Sequence, residues 1–226
     1  MRVAIAALAA CLPIMAEADP VVVELYTSQG CSSCPAADAM LGQLAERSDV
    51  IALSLHVDYW DWIGWEDTFA DPRFSERQRA YAAGWGSSMV FTPQFVVGGT
   101  EQVAGASGME LARLIDEARS RTPDLLRAAS AAEGRTVMVD RSDRGGQIVL
   151  VTILPEAHVR ILHGENAGRT IAYHNVVTGW DVLGAWSGEP GSFPVPDPRP
   201  GTRQVVLAQA VQGGRPGAVL GAVVLD

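Results

Sequence analysis

The stretch Thr27-Ser28-Gln29-Gly30-Cys31-Ser32-Ser33-Cys34-Pro35 places two cysteines where a strand hands over to a helix. Upstream, the apolar run from Val21 to Tyr26 reads as a buried strand. Downstream, Ala36, Ala37, Met40, Leu41, Leu44 and Ala45 recur at helical spacing. Residues three apart share one helix face, so the two sulfurs can close a small disulfide. A helix start presents free N–H groups and the positive end of the dipole. A thiolate there is stabilised, which lowers the thiol pKa and makes it reactive. Pro35 suits a first helical turn, where its missing N–H costs nothing.

Two plainer readings of the motif are a structural disulfide and half of a zinc site. A disulfide closing so short a loop removes only about 2 kcal/mol of chain entropy. A four-cysteine zinc site needs a second pair, and the only other cysteine is Cys11. Redox chemistry is the reading these comparisons favour.

The 226 residues suffice for one large or two small domains, and the hydrophobic content of 48% suits a folded chain. A formal net charge of −9 argues against a nucleic-acid partner. Arg2, the apolar run Val3 to Met15 and Ala16-Glu17-Ala18 read as a signal peptide over residues 1–18. Its apolar part is too short to span a bilayer, so no stable membrane insertion is expected. The mature chain would begin near Asp19, in the periplasm or secreted. The rival reading takes Leu8-Ala9-Ala10-Cys11 as a lipoprotein box with Cys11 lipidated, but leaves a short leader. An exported chain with a single vicinal pair lives where disulfides persist.

Val50 to Val57 is a second apolar, β-branched run, so strand, helix and strand form a βαβ unit with parallel strands. Asp71-Pro72 starts a helix from about Arg73 to Ala83. Phe91 to Val97 reads as a strand, Gly98-Gly99 as a hairpin turn and Thr100 to Ala104 as its return. Ser107 caps a helix from Met109 to Arg121 that Thr122-Pro123 ends, and a helical stretch then runs to about Ala132. Beyond it, Arg135 to Val139, Gln147 to Leu154, Val159 to Leu162, Thr170 to Val177 and Arg203 to Val211 are short β-rich segments, as in a small antiparallel sandwich.

A βαβ unit with Cys-x-x-Cys at its first helix, then a Thr-Pro strand, a hairpin and a helix, resembles the thioredoxin superfamily. More narrowly, VVELYTSQGCSSCPAAD, HVDYWDWIGW and the Thr-Pro strand resemble domain-of-unknown-function family 1223, secreted thioredoxin-like proteins of bacteria. The resemblance implies an α/β thioredoxin-like fold over residues 19–130, followed by a smaller β-rich, sandwich-like domain over 131–226. It implies a cis Thr92–Pro93 bond facing the cysteine pair. It also implies a buried acid below the disulfide, for which Glu24 is the candidate, carrying the proton of Cys34. Gly30 before the first cysteine and Ser32-Ser33 between the two depart from thioredoxin itself, which has tryptophan and Gly-Pro at these places.

The function expected is thiol–disulfide exchange with the thiols and disulfides of exported proteins, with a redox partner protein and no cofactor. Cys31 is the exposed nucleophile and Cys34 the buried resolving thiol. The alternatives are a Cu(I)-binding metallochaperone using Cys31, Cys34 and His56, and a non-catalytic interaction protein. His56 reads equally as a thiol-tuning base or as a histidine satisfied beneath the tryptophan loop. Trp60, Trp62 and Trp65 are either a hydrophobic lip for a partner or the packed core of an insertion.

Overall fold

The computed structural model describes residues 20–122, 124–131 and 134–225. The leader over 1–18, the start at Asp19, Cys11 and the helix stop at Pro123 lie outside the described residues, as does Ala132. Two mostly apolar runs, β1 (Val21–Thr27) and β2 (Val50–His56), pair in parallel and are buried at every position, the polar Glu24, Thr27, Ser54 and His56 included. A near-continuous apolar run is what a strand covered on both faces requires. Between them lies α1 (Pro35–Ala45), with Cys34 at its N-cap and Pro35 opening the first turn. The second helix, α2 (Pro72–Gly84), starts where Asp71 accepts a hydrogen bond from the Arg73 amide. There follow β3 (Gln94–Val97), β4 (Glu101–Ala104) and α3 (Gly108–Arg119).

The remaining strands are β5 (Leu126–Ala131), β6 (Gly134–Val139), β7 (Gly146–Arg160), β8 (Thr170–Trp186), β9 (Gly191–Val195), β10 (Arg203–Gln212) and β11 (Arg215–Leu225). They do not form a separate sandwich after a thioredoxin-like α/β unit, and that expected fold class is overturned. One mixed sheet of eight strands runs β11-β10-β7-β8-β2-β1-β3-β4, with three α-helices among the described residues. A small second sheet, β5-β6-β9, is added to it. The physical reason is pairing over long sequence separation. The outer edge of β2 is taken by β8, through Ser54 and Val176, and β8 carries β7, β10 and β11 with it. Leu126–Ala131, expected within the helical stretch that runs to about Ala132, is strand because it pairs with β6 along its length. Tertiary pairing overrides a weak propensity.

The large sheet also curls. The Val219 amide in β11 donates to the Gly98 carbonyl in the β3–β4 turn at 2.9 Å, joining the two ends of the strand order. Gly99, at φ +73°, allows this closure, since a Cβ there would stand 2.3 Å from the Gly217 carbonyl oxygen. Phe74 and Tyr81 of α2 share a buried cluster with Val22, Leu53, Val96, Val149, Val205 and Val219, so strands from both ends pack on α2. On the other face, Ala37, Leu41, Leu111 and Ile115 of α1 and α3 pack on Val21, Val23 and Leu25. Farther along that face, Ile148, Leu150 and Val206 meet Val137 and Val139 of the small sheet. The period-two alternation of strand side chains divides the core in this way.

Candidate functional site

Thr27 ends β1, and the chain turns back on itself before α1 begins. The Gly30 amide donates to Ser28 Oγ at 3.1 Å, the Cys31 amide to the Ser28 carbonyl, and the Cys34 amide to the Cys31 carbonyl. The two cysteines form a disulfide across a Cα–Cα distance of 5.4 Å. Ser33 Oγ lies 3.4 Å from Cys31 Sγ. A disulfide sulfur has no hydrogen, so the serine hydroxyl is the donor and would equally stabilise a Cys31 thiolate.

The expected contrast between an exposed Cys31 and a buried Cys34 is not found. Cys31 is 1% and Cys34 0% exposed, whereas Ser32 and Ser33 face solvent. Neighbouring loops cover the first cysteine. A Cβ on Gly30 would stand 3.2 Å from Trp60 Cβ and 3.3 Å from Ile63 Cδ1, so glycine here lets the tryptophan loop close over the turn. From the other side Asn166 Nδ2, in the β7–β8 loop, donates to the Gln29 and Cys31 carbonyls at 2.9 Å each. Arg169 Nη1 holds Asn166 Oδ1 at 3.0 Å.

The Thr92–Pro93 bond is cis. Trp60 Nε1 donates to Thr92 Oγ1 at 2.7 Å, so one indole joins the residue before the cis-proline to the turn before Cys31. Trp65 Nε1 donates to Gln29 Oε1, while Trp62 is 82% exposed. The tryptophan cluster therefore divides: two rings pack and hydrogen-bond, and one stands in solvent.

Glu24 does not share the cysteines' side of the sheet. It alternates with Val23 and Leu25, which pack on α1 and α3, and falls with Val22 and Tyr26 on the α2 face. Its buried carboxylate accepts two hydrogen bonds from Arg77, at 2.8 Å each, and one each from Tyr26 and Tyr81, at 2.9 Å. Arg77 in turn stacks over Trp180 at 3.9 Å and donates to Gln209 of β10. This network docks α2 onto strands from both halves of the chain.

The acid that does lie behind the cysteines is Asp38, one helical turn after Cys34, whose carbonyl accepts the Asp38 amide. Asp38 Oδ1 accepts from Thr27 Oγ1 at 2.7 Å, and Oδ2 has no protein partner. Burial pushes its carboxyl up to about 7, against the pull of nearby His56. His56 Nδ1 lies 2.7 Å from Asp67 Oδ2, both side chains being fully buried. That carboxylate oxygen also accepts the Gln29 amide at 2.7 Å. The ring packs edge-on against Tyr173 at 4.9 Å and Phe69 at 5.3 Å. His56 Nε2 and the Tyr173 hydroxyl are, like Asp38 Oδ2, buried without a partner. Among the described residues, no group of three or more His, Cys, Asp or Glu side chains gathers to hold a metal ion, so Cys31, Cys34 and His56 are not assembled as a ligand set.

Sequence reasoning missed Ser33, Asp38, Asp67, Asn166 and Tyr173. Asp38 had a signal, a carboxylate on the helix stripe that carries Ala37, Leu41 and Leu44. Asn166 and Tyr173 had none, since only the β7–β8 pairing brings them here.

Fold and site together define a curled mixed-sheet protein with a Cys-x-x-Cys disulfide at a helix start. The chain belongs to the family described as protein of unknown function (DUF1223), whose model matches residues 22–212. It is similar to the crystal structure of protein AGR_C_4864 from Agrobacterium tumefaciens. That likeness has 30% identity and a TM-score of 0.81, covering 92% of this chain and 95% of the other. HBP35 of Porphyromonas gingivalis is 12% identical with a TM-score of 0.60, covering 92% of this chain and 75% of its own, a likeness of fold alone. No curated protein matches the sequence.

Proposed function

We propose that the protein is a thiol–disulfide oxidoreductase acting through Cys31 and Cys34 on exported proteins, in the periplasm or outside the cell. The observation that carries this reading is the Cys31–Cys34 disulfide at the start of α1, with the Ser33 hydroxyl on Cys31 sulfur. A closed four-residue loop adds little stability, and the start of a helix favours the thiolate that exchange requires. A local likeness to thioredoxin-superfamily sites belongs to this reading, limited to the strand, the Cys-x-x-Cys helix and the cis-proline loop. Cys31 attacks a substrate disulfide, or is attacked in the closed form, and Cys34 resolves the mixed disulfide. Because Cys31 is covered, the Trp60 loop moves aside when a partner docks.

The test is capture. Cys34→Ser protein expressed with a native export leader accumulates mixed disulfides through Cys31, visible as dithiothreitol-sensitive bands, and Cys31→Ser protein accumulates none. Absence of such adducts, with a folded variant, overturns the assignment.

A further inference from the structure

Arg73, Glu76, Arg77 and Ala80 of α2 follow one another at the spacing that puts side chains on one side of a helix. With Trp180 of β8 and Val211 of β10 they line a cavity of about 300 Å³. The two-residue turn Gly213-Gly214, both at positive φ, reverses the chain so that Arg215 pairs with Gln212 and also lines this cavity. A second cavity of about 290 Å³ lies beside it, lined by Arg144 and by Tyr81 and Trp85, whose rings stack at 5.4 Å. Arg215 and Pro216 line both, so the two are chambers of one cleft. The cysteines take no part in it.

The donors of this cleft are only partly used. The Arg77 side chain is 9% exposed, and a guanidinium carries five N–H donors. Those on Nε and Nη2 go to Glu24, the Tyr81 hydroxyl and Gln209 Oε1. Nη1 has no acceptor among the described residues, yet it is not one of the sealed atoms without a partner, so it opens on the cavity that Arg77 lines. The side chains of Arg144 and Arg215 have no ion-pair partner among the described residues. Arg73 is held by Asp71. Of the described side chains that line the cleft, only Glu76 is acidic, and it belongs to the first chamber. In a chain of formal net charge −9, so many arginines against one acid depart from the average surface.

We propose that this cleft is a binding site for a small organic anion, a carboxylate on a flat apolar body, with the carboxylate met by Arg77 Nη1 and Arg215. A carboxylate only accepts hydrogen bonds and matches the guanidinium's planar donors. Trp180, Phe74, Val211 and Pro216 supply the apolar wall for the body. The volume is at the small end of the range for ligand cavities. Arg77 is already fixed, by its acceptors on Nε and Nη2 and by stacking over Trp180 at 3.9 Å. A donor held in place before the ligand arrives loses little freedom on binding, which favours affinity.

The experiment titrates benzoate into the isotope-labelled full chain and follows the Trp180 indole N–H and the Gly214 amide by NMR. Benzamide serves as the same shape without the charge, and inorganic phosphate as the charge without the ring. Benzoate is expected to saturate, to shift Trp180 and Gly214, and to bind at least about tenfold more tightly than either comparator. Arg215→Gln, on an exposed turn residue that leaves the core alone, weakens benzoate by at least about fivefold. Arg79→Gln makes the same charge change at an exposed position of α2 outside the cleft, and leaves the affinity as it was. Benzoate that fails to saturate, or that shifts Trp60, Trp62 or Trp65 in place of Trp180, overturns the site. Equal affinity for benzoate and benzamide overturns the role of the charge, and equal affinity for benzoate and phosphate overturns the organic ligand. Equal losses in Arg215→Gln and Arg79→Gln reduce binding to the overall field of the protein and overturn the proposal as well.

Discussion

At the residue scale, Asp38 makes the stability of the fold depend on pH. Its carboxyl is raised to about 7 chiefly by burial, so the folded chain keeps a proton that the unfolded chain releases above about pH 4. The proton uptake is on the folded side, and stability therefore falls as pH rises through that window. Roughly three pKa units correspond to about 4 kcal/mol, an order of magnitude for a side chain only 3% exposed. Asp38→Asn keeps the acceptor for Thr27 and cannot ionise. Urea unfolding at pH 4, 6 and 8 is expected to show the difference between variant and wild type moving in favour of the variant by a few kcal/mol across that range. A difference independent of pH would mean that the carboxyl ionises at its ordinary value.

At the scale of elements, α1 is held where it is by close approach to β8. Gly42 faces His174, and a Cβ there would lie 2.6 Å from the ring's Cδ2 and 3.0 Å from Nε2. Gly42→Ala forces ring or helix to shift and is expected to cost about 1–3 kcal/mol, read as a lowered melting temperature. Because α1 carries both Cys34 and Asp38, the same variant should alter the reactivity of the pair. Gly42→Ala protein with an unchanged melt would show that helix and strand have room to part. The β7–β8 loop acts on the same elements through Asn166, which holds the carbonyls on either side of Gly30.

At the scale of the whole molecule, the sheet's continuity predicts that the chain folds as one cooperative unit. Residues 19–130 alone lack β8, leaving β2 with an open apolar edge, and lack Gln209, which ties Arg77 and Tyr81 to β10. They also lose Val149, Val151, Val205 and Leu207 from the cluster around α2. Open apolar edges aggregate. A fragment ending at residue 130 is expected to be insoluble or to melt without a cooperative transition; a soluble fragment with a sharp melt would show two independent domains.

The sequence by itself determined what is local. Largely apolar runs marked Val21 to Tyr26 and Val50 to Val57 as buried strands, helical spacing marked α1, and Asp71-Pro72 marked the start of α2. The Cys-x-x-Cys motif and Thr92-Pro93 carry their chemistry in the residues themselves, so these positions could be read without partners. Tertiary structure decided everything that depends on distant pairing. That β8 adds to β2, that Leu126–Ala131 is strand, that Glu24 turns to Arg77 rather than to the disulfide, and that Asp38, His56, Asp67 and Tyr173 meet behind Cys34 all follow from which strands lie side by side. The alternation of side chains tells which residues share a face, but no period along the chain encodes the neighbour that covers it. Segments more than a hundred residues apart choose each other by burying edge and face together, and that choice made one curled sheet where the local patterns described two folds.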